Sequence, residues 1–161
     1  MEQDGRPPNS SLAGPSLPGA VLFACTSNRV RSPMAAALMR LTFGNRVFVD
    51  SVGVKPGDEV DPFAAVVLDE LGADLSHYKP KGFGELEDGS FDLVISLTPE
   101  AQHSAVELGR GRATEIEYWP THDPSLATGS REAVLDAYRA VRDQLRERIE
   151  QRFGKPSTFG G

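Results

Sequence analysis

Short apolar runs alternate along this chain with segments in which apolar residues recur every three or four positions. The runs rich in β-branched residues predict four strands, at 20–24, 47–50, 91–97 and 114–118. The helical periodicity predicts four helices, at 33–43, 62–71, 99–108 and 131–153. Strands that alternate with helices indicate an α/β fold, a single domain in which a four-stranded parallel sheet is flanked by helices on both faces.

Three predicted helices begin with a recognisable sequence signal. Each pairs a side chain that can accept a hydrogen bond at the N-cap with a proline at the first helical position. The pairs are Ser32-Pro33, Asp61-Pro62 and Thr98-Pro99. The starts of these helices are therefore better determined than helix boundaries usually are.

Both ends of the chain are poor in residues that could be buried. Residues 1–18 are rich in Pro, Gly, Ser and Asn, and we expect a disordered N-terminal tail because its few contacts would not offset the entropy lost on ordering. Residues 154–161 are expected to form a shorter flexible tail. The folded domain is then predicted to span 19–153, which is enough chain for one hydrophobic core.

The formal net charge of −6 argues against a broad basic surface, so neither nucleic acid nor an anionic membrane is expected as a partner. No apolar run is long enough to span a membrane and no secretory signal is present, which predicts a cytoplasmic protein. With Cys25 as the one cysteine, the chain has neither an internal disulfide nor a cysteine-rich zinc site. The sequence does not indicate an oligomeric state.

The loop after the first strand carries the strongest chemical signal. Cys25 opens this loop directly after the predicted strand, and Arg31 closes it six positions later, just before the helix predicted from Pro33. At this edge of a parallel sheet, the free N–H groups and dipole of a helix N-terminus favour an anion. We therefore expect a phosphate-binding loop after strand 1, formed by Thr26, Ser27, Asn28, Arg29, Val30, Arg31 and Ser32.

Two interpretations of Cys25 compete. The same N–H groups and dipole, with a hydroxyl such as Ser32, would favour a reactive thiolate that acts as a nucleophile. Asn28 suits the left-handed backbone that a tight anion-binding loop needs. The alternative is that Cys25 is a small buried core residue, which is the common role of a lone cysteine.

The motif Cys-x5-Arg-Ser, with Asn28 inside it and Pro-Met-Ala after it, resembles the low-molecular-weight protein tyrosine phosphatases and the arsenate reductases that share their fold. Ser51 and Gly53 resemble the family's Ser-x-Gly after the second strand, and His77 stands where the family has a histidine. The resemblance implies that Ser51 and His77 hydrogen-bond Asn28 and hold the loop in shape. Without it, Ser51 could cap a strand end and His77 could be a solvated loop residue.

Two Asp-Pro pairs are candidates for the general acid that a phosphate ester requires. Asp61-Pro62 runs straight into a predicted helix, so Asp61 has a helix to cap. Asp123-Pro124 is followed by Ser-Leu-Ala-Thr-Gly, which leaves Asp123 without an immediate structural role. The family also has Asp-Pro before its last helix, so the resemblance assigns the acid to Asp123; a turn-forming Asp-Pro is the alternative.

The expected reaction is therefore hydrolysis of a phosphorylated protein or a small phosphoester through a phosphocysteine intermediate. Cys25 is the predicted nucleophile, Arg31 the clamp on the phosphate oxygens, and no metal or cofactor is implied. Ser125 and Leu126 replace the aromatic residues that many tyrosine phosphatases have after Asp-Pro, which puts tyrosine specificity in doubt. The alternatives are an arsenate reductase that uses an external thiol or redoxin, and an anion-binding module without catalysis.

Overall fold

Four parallel strands form one sheet in the computed structural model of the chain, which describes residues 17–86 and 89–155. The strands are β1 (Ala20–Cys25), β2 (Phe48–Gly53), β3 (Leu93–Ser96) and β4 (Glu115–Tyr118). Their order across the sheet is β2-β1-β3-β4, and each neighbouring pair is parallel. The predicted sheet is confirmed.

Helices cover both faces of this sheet, as predicted. Those in the described residues are α1 (Arg31–Phe43), α2 (Pro62–Asp69), α3 (Pro99–Gly109) and α4 (Arg131–Phe153). Residues of α1, α2 and α4 form the larger core with one face of the sheet, whereas α3 packs in a smaller core on the other face. A sheet covered on both sides explains why its central strands are almost continuously apolar.

The central strand β1 supplies side chains to both cores. Phe23 points into the larger core and Leu22 into the smaller one, and both are fully buried. Trp119 packs edge-on against Phe23, with 6.2 Å between the ring centroids, and is only 2% exposed. Trp119 is therefore a core residue that anchors the end of β4.

The helix starts agree with two of the three N-cap predictions. The Asp61 side chain accepts a hydrogen bond from the Phe63 N–H, and Thr98 caps its helix in the same way. The prediction for Ser32 is wrong, because α1 already begins at Arg31 and has no side-chain cap. The Ser32 hydroxyl instead bonds to groups in the preceding loop.

The described part of the chain begins slightly before the predicted domain. Leu17, which the sequence placed in the N-terminal tail, packs against the larger core. The rest of the predicted tails, residues 1–16 and 156–161, lies outside the described residues. Among the described helices, none is both long and apolar enough to cross a membrane.

Candidate active site

The loop between β1 and α1 lies at the carboxyl edge of the sheet, where Cys25 ends β1 and Arg31 begins α1. Its carbonyl groups bond to the segment that follows β2; the Thr26 carbonyl, for example, accepts from the Lys55 N–H at 2.8 Å. The backbone N–H groups of residues 26, 27, 29 and 30 have no acceptor among the described residues. The loop thus offers unpaired N–H donors directly after a buried cysteine.

The Cys25 sulfur has two close polar neighbours. The Asn28 N–H donates to it at 3.2 Å, and the Ser32 hydroxyl lies 2.9 Å away. Ser32 Oγ also accepts from the Asn28 side-chain amide at 2.8 Å, so its own proton is left for the sulfur or for the Val52 carbonyl at 3.2 Å. The Cys25 sulfur therefore has one backbone donor, and one hydroxyl that can also donate, within 3.2 Å.

Asn28 is the structural centre of the loop. It is fully buried, and with a φ of 57° it is the one non-glycine residue in the described chain with a positive φ. Its amide nitrogen donates to Ser32 and to Ser51, the latter at 3.1 Å. Its carbonyl oxygen accepts from the Tyr78 hydroxyl at 2.7 Å and from the Lys81 N–H at 2.9 Å. All four bonds act to hold a backbone conformation that costs free energy outside glycine.

Tyr78, and not the adjacent His77, makes the hydrogen bond to Asn28 that the resemblance assigned to His77. The His77 side chain is exposed, whereas the Tyr78 hydroxyl bonds to Asn28 and lies 2.6 Å from Ser51 Oγ. Burial raises the pKa of Tyr78 more than the hydrogen bonds with Ser51 and Asn28 lower it, so the hydroxyl keeps its proton and can donate. The sequence signal for Tyr78 was an aromatic residue with a polar end, placed directly beside the expected histidine.

Gly53 makes the close packing of the loop possible. A Cβ atom at this position would lie 2.7 Å from the Asn28 nitrogen and 2.8 Å from the Ser27 carbonyl carbon. Such distances are well inside van der Waals contact, so any side chain at Gly53 would push the loop away from β2.

Arg31 and Asp123 approach each other at the same edge. Arg31 Nη1 donates to the Thr121 carbonyl at 2.9 Å, and its Nη2 lies 3.8 Å from Asp123 Oδ2. The Asp123 Oδ1 accepts from the N–H and the hydroxyl of Ser125, at 2.9 and 2.7 Å. The expectation that Asp123 has no structural role is wrong, but only one of its oxygens is used in this way. The other is left to face Arg31.

The rival carboxylate, Asp61, is held in a different way. It is 6% exposed, and its Oδ2 accepts a hydrogen bond from the Tyr138 hydroxyl at 2.9 Å. Its Oδ1 caps α2 through the Phe63 N–H at 2.8 Å. Both oxygens therefore have protein donors, which suits a buried structural carboxylate better than a proton donor to substrate.

The other loop residues have separate surroundings. Thr26 Oγ1 contacts Thr98 and Glu100 at the start of α3, both at 3.2 Å. The side chain of Val30 is buried in the larger core, and that of Arg29 is half-buried. Within the described residues, no three His, Cys, Asp or Glu side chains are grouped so that they could hold a metal ion.

The chain is similar to known proteins over most of its length. The family described as low molecular weight phosphotyrosine protein phosphatase matches residues 20–155. The chain is 35% identical over 147 residues to a protein-arginine-phosphatase of Bacillus subtilis, covering 81% of this chain and 92% of that protein. It is 29% identical over 139 residues to a glutaredoxin arsenate reductase of Synechocystis, covering 85% and 98%.

A solved structure shows the same fold. The low molecular weight protein tyrosine phosphatase from T. tengcongensis superposes with a TM-score of 0.68 at 25% sequence identity. The likeness covers 83% of this chain and 96% of that one. The sheet, the helices and the loop after β1 thus belong to one shared architecture.

Proposed function

The chain belongs to the low molecular weight phosphotyrosine protein phosphatase family and is an enzyme of the phosphatase class, and on that premise we propose that it hydrolyses phosphate monoesters with Cys25 as the nucleophile. The observation that carries the proposal is the arrangement around this sulfur. Two groups that can donate hydrogen bonds lie within 3.2 Å of it, in a loop where the N–H groups of residues 26, 27, 29 and 30 find no acceptor in the described part of the chain. This is the donor set that a tetrahedral oxyanion above the sulfur would require.

The reaction follows from three side chains. The Cys25 thiolate attacks phosphorus, and the bond to the leaving oxygen breaks while Asp123 gives that oxygen its proton. Arg31 and the loop N–H groups bind the three equatorial oxygens. Asp123, now ionised, takes a proton from water, which attacks the phosphocysteine and releases phosphate and the free thiolate. The 3.8 Å approach of Arg31 to Asp123 supports this division of roles, because it brings clamp and acid together.

Phosphorylated proteins and small phosphoesters both remain candidate substrates. Leu126, in the loop that carries Asp123, is 70% exposed and has no aromatic neighbour in sequence. It would stack less well on a tyrosine ring than an aromatic residue would. A cytoplasmic location stays a prediction.

The deciding experiment measures hydrolysis of 4-nitrophenyl phosphate in the presence of a chelator, for the wild type and Cys25→Ser. We expect turnover that the chelator does not affect and that the substitution abolishes, while phosphate still stabilises the variant against unfolding. Turnover retained in Cys25→Ser would refute the nucleophile assignment. Phosphate binding without turnover in the reduced wild type would instead indicate an anion-binding module.

The acid assignment has its own test. Asp123→Asn should lower kcat by about 10²–10⁴ with esters of poor leaving groups, and much less with 4-nitrophenyl phosphate, whose leaving group hardly needs a proton. Because Asn can still accept from Ser125, the loop should keep its conformation. An equal loss with both kinds of ester would show that Asp123 acts otherwise than as an acid.

Arsenate reduction is a second candidate, favoured by the likeness to the glutaredoxin arsenate reductase. Cys25 is the chain's single cysteine, so two external thiols would have to supply the electrons, becoming a disulfide as arsenate becomes arsenite. Arsenite formation measured with glutathione and glutaredoxin tests this. If no arsenite forms while the enzyme still hydrolyses phosphate esters, arsenate reduction is refuted and phosphate ester hydrolysis is the one remaining activity of the two.

A further inference from the structure

Glu100 is a carboxylate that contacts the loop after β1, and the proposed reaction gives it no task. Its Oε1 accepts a hydrogen bond from the Thr26 hydroxyl at 3.2 Å, and Thr26 directly follows the proposed nucleophile. The same hydroxyl lies 3.2 Å from Oγ1 of Thr98, the residue that caps α3. The first residue of the loop is therefore tied to the start of α3 through its side chain.

The charge of Glu100 has no cationic partner in the described part of the chain. No side-chain nitrogen of a described Lys, Arg or His lies within 4.0 Å of its carboxylate oxygens. Glu100 is exposed and lies in the first turn of α3, where the helix dipole favours a negative charge. A loop that offers N–H donors to an anion is thus hydrogen-bonded to a carboxylate that none of these cations pairs with.

The distance from this charge to a bound phosphate follows from the geometry of Thr26. Its N–H has no acceptor among the described residues, and its carbonyl is fixed by the Lys55 N–H at 2.8 Å. A phosphate oxygen bound by the Thr26 N–H would lie about 3 Å from the nitrogen. Because three covalent bonds join the nitrogen of a threonine to its hydroxyl oxygen, Glu100 Oε1 would be at most about 10 Å from that phosphate oxygen. Two negative charges at this distance repel each other appreciably at low salt.

This inference rests on the phosphate site of the proposed function. We propose that Glu100 weakens the binding of dianionic phosphate to the loop, so that the product leaves readily once the phosphocysteine is hydrolysed. The Thr26 hydroxyl holds the carboxylate near the anion, and the charge acts through space. The same repulsion acts on a dianionic substrate, so Glu100 raises the KM and the inhibition constant of phosphate together without taking part in the chemical steps.

The test measures the dissociation constant of inorganic phosphate by isothermal titration calorimetry, in mildly alkaline buffer of low ionic strength, where phosphate is mainly a dianion. Glu100→Gln removes the charge and keeps an oxygen that can accept from Thr26. It should tighten phosphate binding about threefold, a modest factor because the charges are well separated and partly solvated. High salt should remove the difference through screening. Glu107→Gln, which removes a carboxylate farther along the same helix, is the control and should change the constant much less.

Kinetics and a second variant separate the charge from the hydrogen bond. In Glu100→Gln, the KM for 4-nitrophenyl phosphate should fall by a similar factor while kcat stays near the wild-type value. Thr26→Val removes the hydroxyl and leaves the Glu100 charge. If Thr26→Val alters phosphate binding and Glu100→Gln does not, the contact is structural and the inference is overturned.

The remaining outcomes distinguish this proposal from the proposed function. Phosphate binding in Glu100→Gln that is equal to or weaker than in the wild type at low salt overturns the inference. Tighter binding in the variant, with no ester hydrolysis by either form, overturns the proposed reaction and leaves Glu100 as a determinant of anion affinity. No phosphate binding by the wild type overturns both.

Discussion

The Tyr78 hydroxyl offers the sharpest test of how the loop is held. Tyr78→Phe removes one oxygen atom and leaves the ring in place. The lost bonds run to the Asn28 side-chain carbonyl at 2.7 Å, to Ser51 Oγ at 2.6 Å and to the Ser51 backbone carbonyl at 3.0 Å. His77→Ala, by contrast, removes an exposed side chain to which the family resemblance assigned the same task. The two variants therefore distinguish the structure from the resemblance.

The expected loss of stability follows from what remains after the substitution. Asn28 keeps a donor in the Lys81 N–H, and Ser51 keeps a donor in the Asn28 amide. The Ser51 hydroxyl proton loses its acceptor, the Tyr78 oxygen, so we expect a cost of about 1–3 kcal/mol of unfolding free energy. His77→Ala should cost less than about 0.5 kcal/mol, the usual limit for an exposed surface change.

Activity should fall further than stability alone would explain. Asn28 places its N–H on the Cys25 sulfur, and a displacement near 1 Å at a reacting centre can cost about 10²-fold in rate. We expect kcat for 4-nitrophenyl phosphate to drop in Tyr78→Phe and to stay near the wild-type value in His77→Ala. Tyr118→Phe, at an exposed tyrosine of β4, is the control for removing a hydroxyl elsewhere.

Urea unfolding, followed by the fluorescence of Trp119, the one tryptophan of the chain, measures the difference in unfolding free energy. Steady-state kinetics measures the change in kcat. The reasoning would be refuted if His77→Ala lost more activity than Tyr78→Phe. It would also be refuted if Tyr78→Phe changed neither quantity, because the hydroxyl would then contribute nothing to holding Asn28.

Two further predictions concern carboxylates outside the proposed reaction. Asp61→Ala should cost about 2–4 kcal/mol of unfolding free energy, because it removes the cap of α2 and leaves the buried Tyr138 hydroxyl without its acceptor. The kcat per folded molecule should stay within a few-fold of the wild-type value. Urea unfolding and steady-state kinetics check the two expectations. Hydrogen bonds from Arg139 and Arg142 lower the pKa of Glu70 to about 2, so Glu70 should stabilise the fold above its usual pKa of 4.5 and lose this effect as pH falls toward 2. Glu70→Gln should weaken the dependence of the unfolding free energy on pH between about 4.5 and 2. If that dependence is the same in the variant and the wild type, the ion pairs of Glu70 do not contribute as proposed.

The fold was predictable from the sequence because its signals are local and repeated. The alternation of apolar β-branched runs with helical periodicity gave every strand and helix to within a few residues. The caps at Asp61 and Thr98 fixed two helix starts, since an acceptor followed by proline suits little else. The position of Cys25 at the end of β1 then placed it at the edge where parallel sheets bind ligands.

The errors all concern which partner a side chain contacts, not which strand or helix it follows. Ser32 was predicted to cap its own helix, but it bonds to Cys25 and Asn28, which a local rule cannot foresee. His77 and Tyr78 are adjacent, and only the path of the loop decides which of them turns inward. Asp123 also has a local partner, Ser125, because a short 3-10 turn forms at Pro124–Leu126.

The register of the sheet explains why the loop can adopt a strained shape at all. In the parallel pair of β1 and β2, Cys25 is matched with Gly53 and Phe23 with Ser51. This register brings the one residue without a side chain under the Asn28 backbone, and the Ser51 hydroxyl under its amide. A slip by one residue would put Val52 where Gly53 lies, and its side chain would meet the 2.7 Å contact at the Asn28 nitrogen. The pairing that builds the core therefore also holds the loop over Cys25, so substitutions at Gly53 should reduce anion binding even where the sheet still forms.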